Sequence, residues 1–218
     1  MLDDDEADQL LAKSTKPQAI HGNERIIASS GDRQFDQALA QTLSRLTDTF
    51  HVLPGFAYYD DTGSPNAYAT KRTWLARADG TVFFGREYLA KARAQPEAPE
   101  VVVASTCAHE YGHILQYKMN LRPVLTAGQP NTKRLELHAD FLAGYFAGLS
   151  KLRKTDYPAA VFATDHFESG DFNFRSPTHH GTPTQRAASV VRGFEVAYRE
   201  RHALAEAVQI GIRYVSTQ

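Results

Sequence analysis

Over residues 33–51 the apolar side chains Phe35, Leu39, Leu43, Leu46 and Phe50 return every three or four positions, the stripe of an amphipathic helix with one face on a core. The pattern then changes. Three short runs rich in aromatic and β-branched residues, 56–59, 67–70 and 81–84, are separated by Gly63, Pro65, Asp79 and Gly80 and predict strands of a small sheet. After Gly85 the strand signals stop, and helical patterns follow over 97–119, 134–154, 185–201 and 204–214. Helix, small sheet, then helices is an α+β order. Ahead of it, a short helical pattern over 3–13 leads into a polar stretch with Pro17, Gly22 and Gly31. Residues 1–32 are therefore expected to form an N-terminal arm and residues 33–218 one domain.

Two connections, 120–132 and 156–184, are long for a compact domain and are expected to form the rims of a cleft. Phe162, Phe167, Phe172 and Phe174 in the second are expected to pin it down by packing.

Composition narrows the function classes. A chain of 218 residues with 42% hydrophobic positions has material for one full core. Lys and Arg total 24 against 25 Asp and Glu, so there is no electrostatic case for a nucleic-acid partner or an anionic membrane. The single cysteine, Cys107, forms no internal disulfide and is expected to be a small core residue, as is Tyr111 a buried structural one. No apolar run is long enough to span a bilayer, and the N-terminus is acidic (Asp3, Asp4, Asp5, Glu6). The chain as written is expected to be soluble, with the compartment open between the cytoplasm and the exported, periplasmic side.

The chemistry begins at His109, Glu110, Tyr111, Gly112 and His113. Two histidines four apart lie on one face of a helix, so both imidazoles reach one metal, and Glu110 beside the first can contact a water there as general base. The surrounding residues Val101, Val102, Val103, Ala104, Ile114 and Leu115 make the helix a buried one. Burying such groups without a metal or a partner costs about 2–7 kcal/mol even for a neutral polar group. A catalytic zinc wants a third protein ligand. On the next long helix Glu136 and Asp140 share a face, with His138 pointing nearly the opposite way. Glu136 is favoured as the ligand, because Asp140 then orients a ligand histidine through its free ring nitrogen; His138 is the rival.

Three segments together resemble the bacterial neutral zinc metallopeptidases and, more distantly, the HtpX and CAAX prenyl protease superfamily of gluzincins. They are the His109–His113 helix followed by Gln116, the segment Glu136, Leu137, Ala139, Asp140 with Ala143 and Gly144, and the segment His180, Gly181, Gln185, Arg186. The resemblance covers about residues 66–194, whereas the first fifty residues match nothing in it. Gln116 and Met119 stand where metzincins have a glycine and a third histidine. The resemblance implies a minimal zincin-like domain, with a small sheet beside a zinc-binding helix and a second ligand-bearing helix. It further implies zinc-dependent hydrolysis of a peptide or protein substrate, with zinc lowering the pKa of its water and Glu110 taking the proton and passing it to the leaving amine. His180 or Arg186 would stabilise the oxyanion, with Arg186 also suited to pairing with Asp140, and Asn66 with Ala67 would bind extended substrate on an edge strand. The doubled His179 and His180 leaves open which of the two faces the metal. The competing function is a zinc-stabilised, catalytically silent module that binds a peptide or protein; an intact Glu110 speaks against it, since a structural site needs no base.

Overall fold

The computed structural model describes Ile26, Ile27 and residues 29–218. The expected helix over 3–13 and the polar stretch after it, up to residue 25, lie outside the described residues. The first helix, α1 (Arg33–Phe50), starts where the Asp32 carboxylate accepts from the Phe35 N–H at 3.0 Å and ends at His51, whose φ of 53° is left-handed. Leu39, Leu46 and Phe50 on its apolar stripe are buried.

A mixed sheet of four strands follows, in the order β1 (Ile26–Ile27), β2 (Gly55–Tyr59), β4 (Thr81–Gly85), β3 (Ala67–Thr70). β2 and β4 are parallel with Gly55 opposite Thr81, and β3 is antiparallel to β4 with Ala67 opposite Phe84. β3 is thus an edge strand, with one row of backbone groups free of a strand partner among the described residues. β1 pairs antiparallel with β2, so the sheet recruits two residues from the stretch expected to be an arm.

Seven helices come after the sheet: α2 (Arg86–Arg93), α3 (Pro99–Lys118), α4 (Arg122–Thr126), α5 (Lys133–Arg153), α6 (Ala160–Glu168), α7 (Pro183–Tyr198) and α8 (Leu204–Ser216). The fold is α+β, and the four long helices expected over 97–119, 134–154, 185–201 and 204–214 are present with small shifts at their ends. The two long connections are not structureless, since α4 lies within 120–132 and α6 within 156–184. One expectation is overturned: of the four aromatics only Phe162 is buried, while Phe167, Phe172 and Phe174 are 49, 70 and 60% exposed. Phe162 sits on the inner face of α6, whereas Phe172 and Phe174 lie in the irregular segment after it and meet mainly each other.

The core is built on α3 and α5, each buried around nearly its whole circumference. Small residues let their neighbours come close. A Cβ on Gly144 of α5 would stand 1.9 Å from the Val190 carbonyl oxygen of α7, and one on Gly193 would stand 1.8 Å from that of Phe141. A Cβ on Gly112, between the two histidines, would already meet Ala139 of α5 at 3.2 Å. That approach carries the face of α3 holding His109 and His113 onto the face of α5 holding Glu136 and Asp140. Among the described residues no helix is long and apolar enough to cross a membrane.

Candidate metal centre

His109 and His113 stand one turn apart on α3 with their Nε2 atoms 3.1 Å from each other. Glu136, near the start of α5, brings one carboxylate oxygen to 3.4 Å from His109 Nε2 and the other to 3.6 Å from His113 Nε2. The other ring nitrogens fix the tautomers. His109 Nδ1 donates to Asp140 Oδ1 at 2.8 Å, and His113 Nδ1 donates to Gln116 Oε1 at 3.0 Å. The Gln116 amide is itself oriented, because its NH2 group donates to the Leu135 carbonyl at 2.8 Å. With both Nδ1 atoms carrying hydrogens, the Nε2 lone pairs point at each other and at a carboxylate, and the Glu136 Oε1 atom is buried without a hydrogen-bond partner. Such a convergence of bare acceptors is repulsive unless a cation joins it.

The electrostatics of the buried groups agree. Desolvation would lower the His109 pKa, but the hydrogen bonds of Asp140 and Glu136 outweigh it and push the imidazole up to about 10, so without a metal a proton takes the cation's place. Burial would raise Glu136, yet His113 and His109 hold it well below the usual carboxylate range. Glu110 goes the other way, raised chiefly by burial, with His109 and His113 only partly offsetting it. No hydrogen bond holds its carboxylate, which faces the cleft. Two imidazole nitrogens and a carboxylate oxygen fit zinc and similar first-row divalent ions; calcium would need six or more oxygens.

Behind the donors lies a salt-bridged cluster. Arg186 of α7 clamps Asp140, Nε to Oδ2 at 2.8 Å and Nη2 to Oδ1 at 2.7 Å, and donates from Nη1 to the Ser169 carbonyl at 3.1 Å. Burial disfavours the Asp140 charge, but Arg186 and His166 keep its pKa well below the usual range. His109, Asp140 and His166 also converge closely enough for a metal. The Arg186 guanidinium already occupies both Asp140 oxygens, which excludes an ion from that trio. Arg186 is therefore committed to Asp140 rather than free to meet an oxyanion.

His180 lines the same cleft, with its Nε2 buried and unpartnered. Asp171 holds it from behind, accepting from the His180 backbone N–H at 2.9 Å and from His179 Nδ1 at 2.7 Å. His179 is 2% exposed and packs on Phe174 outside the cleft, so His180 is the histidine of the pair that faces the donors. Gly181 has a φ of +100°, a conformation that turns the chain after His180 into the α7 capping box of Thr182 and Gln185. His138, the rival ligand, is fully buried on the opposite face of α5, stacked on Phe141 and 3.4 Å from the Val208 carbonyl.

The cleft, about 140 Å³ in volume, runs along the edge strand, where Asn66, Ala67, Tyr68 and Ala69 form one wall. Asn66 is positioned by Asp61, which accepts from its N–H at 3.1 Å while also capping α2 through the Glu87 and Tyr88 N–H groups at 2.7 and 3.0 Å. The facing wall contains Asp165, His166 and Ser169. Gln116 as the partner of His113, the Asp171 support and the α6 residues were not foreseen from sequence. Gln116, three residues beyond His113, had a readable helical spacing; Asp171 and His166 lie in a stretch without a periodic signal. Compared with known proteins, the chain matches no family model, no curated protein and no solved structure.

Proposed function

We propose that this chain is a zinc-dependent metalloendopeptidase with a minimal zincin-like domain, its metal held by His109, His113 and Glu136. The observation that carries the reading is the convergence of the two Nε2 lone pairs on an unpartnered, buried carboxylate, beside a second carboxylate that no hydrogen bond restrains. A zinc ion held there would polarise a peptide carbonyl and acidify a water.

The remaining work falls to the chain's own groups. Glu110, buried and raised in pKa, takes the proton of the attacking water and delivers it to the leaving amine. His180, held by Asp171 through its backbone N–H and Nδ1, donates from Nε2 to the oxyanion of the tetrahedral intermediate in its imidazolium form, the only form with a hydrogen on both ring nitrogens. Asp140 and Gln116 hold the two ligand imidazoles in the required tautomers, and Arg186 holds Asp140. The open edge of β3, with Asn66 and Ala67, pairs with an extended substrate as an added strand.

Metal analysis of the purified protein, followed by digestion of a peptide library alongside Glu110→Gln, tests the reading. One zinc per chain is expected in both proteins, with cleavage by the parent and a fall of about 1000-fold or more in the variant. Stoichiometric zinc with equal, background cleavage by both would instead favour the silent binding module.

A further inference from the structure

His166 lines the cleft but has no part in the proposed reaction. It is 4% exposed, and its Nε2 atom is buried without a hydrogen-bond partner. The other ring nitrogen settles what that atom can offer. Arg186 Nη2 has two hydrogens, one directed to Asp140 Oδ1 at 2.7 Å and one to His166 Nδ1 at 3.2 Å. A guanidinium only donates, so Nδ1 is the acceptor and the ring hydrogen sits on Nε2. A second proton would go to Nδ1, which also has Asp140 Oδ1 at 2.8 Å, and Nε2 would keep its own. In either state Nε2–H is a buried donor left without an acceptor, which is a costly arrangement unless a ligand supplies one.

Place and charge narrow the acceptor. The His166 ring stands 5.3 Å from that of His109, so the donor lies beside the proposed metal. The cations there already have carboxylates: Asp140 pairs with Arg186, Asp171 with His180, and Glu110 and Glu136 balance a divalent ion. An anionic ligand would bring uncompensated charge into the cleft, and an apolar group would leave the donor unmet. A neutral carbonyl oxygen avoids both penalties. The α6 wall that carries His166 faces the β3 wall across the cleft. An extended peptide has N–H and C=O groups along both of its edges, so one that pairs with β3 turns a second row of carbonyls toward α6.

We infer that His166 donates from Nε2 to a main-chain carbonyl oxygen of the substrate beside the metal, so that an extended peptide is held along both edges, by β3 on one and by His166 on the other. Such a grip reads the backbone rather than the side chains, and it fits an extended segment with an intact amide at that position. The inference rests on the peptidase reading, because the carbonyl it needs is the substrate's.

Two substitutions separate the donor from the rest of the ring. In His166→Asn the side-chain oxygen takes the place of Nδ1 and nothing stands at Nε2, whereas in His166→Gln the amide NH2 group reaches the place of Nε2. Zinc-loaded Glu110→Gln protein, alone and with either substitution added, is titrated with capped peptide hydroxamates, which anchor on the metal, and with analogues in which one amide at a time is a trans alkene. At one position the alkene should bind about tenfold more weakly than the amide. With His166→Asn the same replacement should cost less than about twofold, and with His166→Gln most of the larger loss should return. Equal losses in all of these proteins, or a His166→Asn variant as discriminating as the protein with His166, overturn the inference. Should both variants fold poorly, nitrogen NMR of the imidazoles in the Glu110→Gln protein decides it. A hydrogen on His166 Nε2 whose signal moves with the amide hydroxamate and not with the alkene is expected, and a bare Nε2 or a signal blind to the replacement overturns the inference. Hydroxamate binding and cleavage by the parent without a position-specific loss sink the role of His166 alone. No hydroxamate binding at all sinks the peptidase reading, and the role of His166 with it.

Discussion

Asp140 does more than orient a ligand. One of its oxygens accepts from His109 at 2.8 Å and from Arg186 at 2.7 Å, and the other accepts from Arg186 at 2.8 Å, all with the carboxyl fully buried. An amide in its place keeps one acceptor and turns an NH2 group toward a guanidinium. Asp140→Asn is therefore expected to weaken zinc binding by about 10–100 fold and also to destabilise the fold by about 3–5 kcal/mol, since Arg186 is left as an incompletely paired buried charge. Chelator competition on the folded variant and denaturant unfolding of the metal-free protein read the two effects separately. Tight zinc binding by the variant would remove Asp140 from the site. Much of this cluster was legible in the sequence, because helical spacing alone puts His109 with His113 and Glu136 with Asp140. Whether Arg186 would meet Asp140 or a substrate was not legible, since that depends on how closely α7 approaches α5, which Gly144 and Gly193 decide.

At the scale of elements, the segment between α6 and α7 is fixed less by packing than by one carboxylate. Asp171 accepts from the backbone N–H groups of His180 and Asn173 and from the His179 ring. Burial alone would raise its pKa, but these hydrogen bonds bring it down to about 2 from an ordinary value of 3.8. A carboxyl whose pKa is lower in the folded than in the unfolded chain adds stability that is complete above the ordinary value and is lost as pH falls through the folded one. The melting temperatures of the parent and Asp171→Asn should thus differ most near pH 6 and converge as the pH approaches about 2. A gap that stays constant over that range would mean that the charge is not what holds the segment. The elements that sequence did not disclose share this reliance on distant partners. α2 starts at a glycine without a side chain to cap it, and the cap comes from Asp61 beyond β3. β1 has only two residues and exists by pairing with β2. The long helices and three of the strands were legible because each carries its own periodicity.

The whole molecule places its proposed metal at the crossing of its two most buried helices, yet it does not depend on that metal for a core. Phe50, Phe84, Phe141, Phe146, Leu46 and Ile114 are fully buried in one continuous cluster that joins α1, the sheet, α3 and α5. Without zinc the donors need not fly apart, because a proton on His109 satisfies part of the acceptor convergence. The metal should accordingly behave as a ligand of a folded protein. At a free concentration of one hundred times its Kd, a ligand that binds only the folded state adds about 2.7 kcal/mol. For a chain of this size that corresponds to roughly 5–10 °C in Tm. Calorimetry of the zinc-loaded and chelator-treated protein should show two cooperative transitions separated by about that interval. Loss of any cooperative transition on chelation would make the metal a structural element and favour a closed, non-catalytic site. Coincident transitions would mean that the acceptors at His109, His113 and Glu136 bind no zinc, and the proposed function would fall with them.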